Sequence, residues 1–124
     1  MEFETPQFSL SEEELDERTT AVAVRGEIHV TTAPEFSERL NEVIAKGRPA
    51  LVVDLLEVEF IDSTGLSVLL NGLRSVTRAD GRMALVCVNP TVLRLFEITK
   101  LDSTFDIRAT RAEAAASLRG EAAA

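Results

Sequence analysis

His29 is the only histidine and Cys87 the only cysteine in the chain. A Ser–His or Cys–His nucleophilic pair would therefore have to be built on His29. That residue falls where a strand meets a turn, a place for a surface or capping imidazole. Cys87 lies inside the apolar run Met83–Val88, where a small buried thiol is expected rather than a nucleophile. A single cysteine excludes an intrachain disulfide and any Cys-based zinc site. Asp54 and Asp62 are carboxylates a metal can use, but no local cluster of further ligands accompanies them. Gly26, Gly47, Gly65, Gly72 and Gly81 are scattered and build no phosphate-cradling loop. The residue types support neither a hydrolase nor a transferase, and no cofactor is expected.

Chemistry concentrates instead in Asp54–Leu66, DLLEVEFIDSTGL. A buried strand is expected to end at Asp54, with Val58, Phe60 and Ile61 re-entering the core. Asp62-Ser63-Thr64-Gly65 then delivers a hydroxyl to a helix N-terminus, where free backbone N–H groups and the helix dipole favour negative charge. On local pattern alone this reads first as the ordinary Ser/Asp cap that starts many helices.

The elements around this stretch alternate. Thr19–Arg25 is β-branched and apolar enough for a strand, Gly26 permits a turn or bulge, and Glu27–Val30 extends the strand. Thr31-Thr32-Ala33-Pro34 reads as a helix start, with Phe36, Leu40, Val43 and Ile44 on one face. Lys46-Gly47-Arg48-Pro49 stops it. Ala50–Leu55 reads as a strand covered on both faces. A second helix follows the DSTG segment, with Leu66, Leu69, Leu70, Leu73 and Val76 as its buried stripe. Gly72 within it marks tight packing on the sheet, and Asp80-Gly81 ends it. Met83–Val88 predicts another buried strand. Asn89-Pro90 opens a shorter helix with Val92, Leu95 and Phe96 on one face, and Thr104–Arg108 predicts a last strand. Thr110 and Glu113 form a capping box for a final helix through about Leu118. Strands alternating with helices imply an α/β layer fold.

With 124 residues the chain has room for one domain. Hydrophobic residues at 45% supply a core, and the absence of Trp and Tyr leaves few rings to stack on bases. A formal charge of −8 argues against nucleic acid. Residues 1–17 hold seven acids and no Lys or Arg, leaving 14 acids against 13 bases in the remainder. The acidic segment reads as a solvated edge that aids solubility. No apolar h-region opens the chain and no apolar run approaches the ~20 residues of a membrane span, so a cytoplasmic protein without membrane insertion is expected.

Two blocks, GEIHVTTAPEF from Gly26 to Phe36 and VVDLLEVEFIDSTGL from Val52 to Leu66, resemble the anti-sigma-factor antagonists of the STAS domain family. LVCVNPTVLRLFEITKLDSTFDI, from Leu85 to Ile107, matches in pattern. The resemblance implies a single STAS-like domain over residues 1–124, with a core over about 8–118 and an Ala-rich tail at 119–124. It also implies a mixed sheet of about four or five strands with about four helices packed against it. In that family the serine of the D-S-[ST]-G motif is phosphorylated by an anti-sigma factor that is itself a serine kinase. Carried over, the modified residue is Ser63, with Asp62, Thr64 and Gly65 as its motif neighbours. Glu27, His29 and Asp54 join them as implied partner-binding residues. Asp54 matches an acidic residue at the strand end. The first block departs from the family at His29, where G-E-[LI]-D has an acid, which bears on partner choice or rate.

The implied role is partner switching. The unmodified domain docks on the kinase and frees a sigma factor, phosphorylation at Ser63 ends the contact, and a phosphoserine phosphatase restores it. The alternatives are a scaffold or regulatory subunit of a larger signalling or transport assembly, and a nucleotide-sensing module.

Overall fold

The computed structural model describes residues 7–120. Residues 1–6 of the acidic segment and 121–124 of the Ala-rich tail lie outside the described residues. The described chain forms five strands and four helices: β1 (Ser9–Glu14), β2 (Thr19–Ile28), α1 (Ala33–Ala45), β3 (Ala50–Ile61), α2 (Ser63–Arg78), β4 (Arg82–Val86), α3 (Pro90–Ile98), β5 (Asp106–Arg108) and α4 (Arg111–Leu118). The sheet runs in the order β1-β2-β3-β4-β5. β1 pairs antiparallel with β2, and every other neighbouring pair is parallel. The mixed α/β architecture is the expected one.

Alternation along the strands builds two cores. Val22, Val24, Leu51, Val53, Leu55 and Leu85 pack on one face, against Phe36 and Leu40 of α1, Leu69 of α2 and Phe96 of α3. Their odd-even neighbours Ala21, Ala50, Val52, Ala84 and Val86 face Ala114 and Leu118 of α4. Small side chains on that face let a short helix seat closely. Gly72 is the close approach expected: a Cβ there would lie 3.1 Å from Met83 Cε and 3.2 Å from Leu40 Cδ1. Gly47 takes the left-handed conformation after α1, φ +82°. Thr110 caps α4 by accepting the Glu113 N–H at 3.1 Å.

Six expectations need correction. The acidic segment is not merely a solvated edge, because Ser9–Glu14 forms β1 and its carboxylates meet cations on both helical layers. The second long strand does not stop near Asp54. It continues to Ile61, and two register irregularities against β2, between Ala23 and Arg25 and between Gly26 and Glu27, each insert an extra β3 residue. Gly26, at φ +95°, sits between them, which realises the expected bulge. The insertions change the burial spacing to Leu55, Val58 and Ile61 and turn Phe60 out, 45% exposed, rather than into the core. β4 ends at Val86; Cys87 remains buried but Val88 is 51% exposed. β5 is limited to Asp106–Arg108, because Leu101–Ser103 form a 3-10 turn first, and β2 ends at Ile28.

Candidate functional site

β2 and β3 run parallel and end together, Ile28 opposite Ile61. Just beyond, the Asp62 N–H donates to the Ile28 carbonyl at 3.1 Å, which ties the start of α2 to the end of β2. Asp62 is the N-cap of α2 in extended conformation, and its Oδ1 accepts the Gly65 N–H at 3.0 Å. Ser63 is thus the first residue of a 16-residue helix, at its positive end.

The three hydroxyls near this end differ in access. Ser63 is exposed, and among the described residues its hydroxyl has no hydrogen-bond partner. Thr64 is half-buried. Ser67, one turn on, donates its hydroxyl back to the Ser63 carbonyl at 3.0 Å. Ser63 and Ser67 are both exposed, and of the two only the Ser63 hydroxyl is without a hydrogen-bond partner among the described residues.

Gly65 is buried, and a Cβ at that position would lie 2.6 Å from Ile61 Cγ1 and 2.8 Å from Ile28 Cγ2. It is neither a gap on the surface nor a turn residue. Its missing side chain lets the first turn of α2 settle onto the ends of β2 and β3, which presents Ser63 outward.

His29 follows β2 in the same rim. Its Nδ1 accepts the Thr31 N–H at 3.2 Å, its own N–H donates to Thr32 Oγ1 at 3.0 Å, and its carbonyl accepts from Ala33 at 2.7 Å. Thr32 occupies the N-cap position of α1 without making a side-chain cap bond. Its hydroxyl instead donates to the Glu27 carbonyl at 2.8 Å, closing the turn. His29 Nε2 stands 4.0 Å from Glu27 Oε1. Glu27, His29, Asp62, Ser63 and Thr64 thus share one end of the sheet.

Asp54 does not join them. It sits in mid-strand, 7% exposed, eight residues before Asp62, rather than at the strand end. Its Oδ1 accepts the Leu56 N–H at 2.9 Å and its Oδ2 pairs with Arg111 Nε at 2.7 Å. That carboxylate raises the Arg111 pKa above its already high ordinary value, chiefly through the hydrogen bond. Arg111 also reaches Glu13 at 3.1 Å, so the pair joins β3, α4 and β1. Sequence inspection had no signal for this partnership, since the two residues lie far apart in the chain.

Among the described residues there is no group of three or more His, Cys, Asp or Glu able to hold a metal ion. Burial pushes the Cys87 thiol up, away from the reactive thiolate. No described helix is long and apolar enough to cross a membrane.

A family model described as STAS domain matches residues 12–114. A Listeria monocytogenes protein named anti-sigma-B factor antagonist is 35% identical over 103 residues, covering 81% of this chain and 90% of its own. A crystal structure of an anti-sigma factor antagonist from Mycobacterium paratuberculosis is 32% identical with a TM-score of 0.83, over 91% of this chain and 95% of that one. The Bacillus cell fate determinant SpoIIAA in its phosphorylated form superposes with a TM-score of 0.69 at 20% identity, over 90% of this chain and 100% of that one. That last likeness is one of fold.

Proposed function

Because the chain belongs to the STAS domain family, we propose that it acts as an anti-sigma-factor antagonist, a binding protein rather than an enzyme. Its partner is an anti-sigma factor with serine kinase activity, and phosphorylation of Ser63 switches the contact off. A phosphoserine phosphatase resets it. The setting is the cytoplasm, and one domain does the work. The observation that carries this reading is the exposed, unbonded Ser63 hydroxyl at the capped start of α2.

The physics of the switch is local. Phosphorylation adds about −1.5 to −2 charges at pH 7. The helix N-terminus tolerates an anion there, so the fold survives the modification. A docked surface is less tolerant. A like charge about 4 Å away costs up to ~4 kcal/mol at an effective dielectric near 20. Solvent screens most of that at an exposed serine, yet ~1.4 kcal/mol is already a tenfold loss of affinity. Asp62 beside Ser63 adds to the negative charge at the same spot. Glu27 and His29 form the neighbouring rim, where an imidazole in place of the family's carboxylate tunes which kinase surface fits.

Incubation with the cognate kinase and ATP is expected to add one phosphate, mapped by mass spectrometry to Ser63, and Ser63→Ala is expected to accept none. Ser63→Asp should weaken the kinase complex by more than about tenfold while thermal unfolding stays nearly unchanged. Phosphate on Thr64 or Ser67 with Ser63 untouched would overturn the assignment.

A further inference from the structure

β1 has the wrong composition for a strand. Ser-Leu-Ser-Glu-Glu-Glu has little β-propensity, and five of its six residues are exposed. Only Leu10, with Phe8 just before it, packs partly against the main core. Side-chain burial alone is a weak anchor for this edge.

Beside its backbone ladder with β2, what holds it is charge, distributed by the alternation of the strand. Glu12 faces the α1 side of the sheet and meets Arg39 at 3.5 Å and Lys46 at 2.9 Å. Arg39 is shared with Glu42 of α1 at 3.9 Å. Glu14 lies on the same face and meets Arg48 at 3.0 Å, in the connection from α1 to β3. Glu13 points to the other face and meets Arg111 of α4 at 3.1 Å, the same guanidinium that holds Asp54. In the turn that follows, Asp16 meets Arg119 at 3.4 Å and accepts the Arg18 N–H at 2.8 Å. Arg48 also donates to the carbonyls of Asp16 and Glu17, at 2.9 and 2.8 Å. The acidic strand thereby straps the helical layers on both faces to one edge of the sheet. Without those cations, three adjacent carboxylates would repel one another.

We propose that β1 is an electrostatic latch: raising the ionic strength loosens this strand alone, while β2 to β5 stay folded, and uncovers the backbone edge of β2. Each pair is exposed enough to be screened, and the screening length falls from ~30 Å at 0.01 M salt to ~3 Å at 1 M. The β2 edge so uncovered, Thr20–Arg25, carries the register now occupied by Ser9–Glu14 and is a template for pairing with another strand. This inference does not depend on the role of Ser63.

Amide hydrogen exchange of the full chain, read residue by residue by NMR in 20 mM and 1 M sodium chloride, tests it. Protection of those Ser9–Glu14 amides that donate to β2 is expected to fall about tenfold across that range, several weak pairs acting together. The central amides Val52 and Val53 should hold theirs, which also corrects for any effect of salt on exchange itself. A Glu12→Gln/Glu13→Gln/Glu14→Gln variant should show the low β1 protection already at low salt and no further loss. The wild-type titration stands without the variant if that chain folds poorly. Salt-independent β1 protection in the wild type, or loss in step with Val52 and Val53, would overturn the latch.

Discussion

Gly65 shows how one missing side chain positions a functional one. The nearest atoms to an added Cβ belong to Ile61 and Ile28, both buried and both stiff at χ1 because they are β-branched. Neither can swing clear, so α2 would have to lift from the sheet end. Gly65→Ala gains ~1 kcal/mol of helix propensity but meets an overpacking cost of ~1–3 kcal/mol, so a net destabilisation of up to about 2 kcal/mol is expected. Chemical denaturation measures it. Because the lifted turn carries Ser63, phosphorylation of the folded variant should also slow. Unchanged stability would mean that the strand ends yield more readily than their packing implies.

Among the elements, β3 has two roles along its length. Its first half is the paired centre of the sheet and carries Asp54. Its second half has β2 as its strand neighbour and ends at the rim that bears Ser63. Removing the partner of Asp54 tests whether these roles are separate. Breaking a fully buried ion pair costs ~3–5 kcal/mol. The Arg111 side chain is 31% exposed, so Arg111→Ala should cost less, about 2 kcal/mol of stability. At a temperature where this variant is folded, Ser63 should be phosphorylated at the wild-type rate. A folded variant that loses modification would return the Asp54 pair to the docking face.

For the molecule as a whole, the lone thiol reports on cooperativity. Cys87 is 3% exposed, follows β4 and packs in the larger core, and its backbone N–H donates to the Arg108 carbonyl at 3.0 Å. Phe96 and Phe105, edge to face at 5.7 Å, belong to that same core. A thiol reagent at pH 8 should leave the native protein unlabelled. Labelling rates across a denaturant series should then follow global unfolding, in contrast to the easily loosened edge at β1. Rapid labelling of the native state would show a local opening of the β4–α3 connection that the packing does not suggest.

The features legible in the sequence are those whose causes lie within a few residues. The Asp62 and Thr110 caps, the stop at Gly47, the apolar stripe of α2 and the outward hydroxyl of the DSTG turn all depend on bonds spanning three or four positions. So does the α/β alternation that places Ser63 at a helix start. Tertiary structure alone decided the rest. β1 carries no apolar alternation to read, because its partners are cations contributed by α1, the α1–β3 connection and α4. The full length of β3 was hidden because two inserted residues break the period of two, and those insertions are defined only by register with β2. Asp54 reads as a strand-end acid only while the continuation of β3 to Ile61 is hidden, and its partner Arg111 lies far along the chain. Gly65 showed its purpose only when Ile28 and Ile61 stood underneath. Hydrogen bonds between near neighbours are written into local residue order; ion pairs, bulges and steric gaps between distant segments exist only once those segments meet.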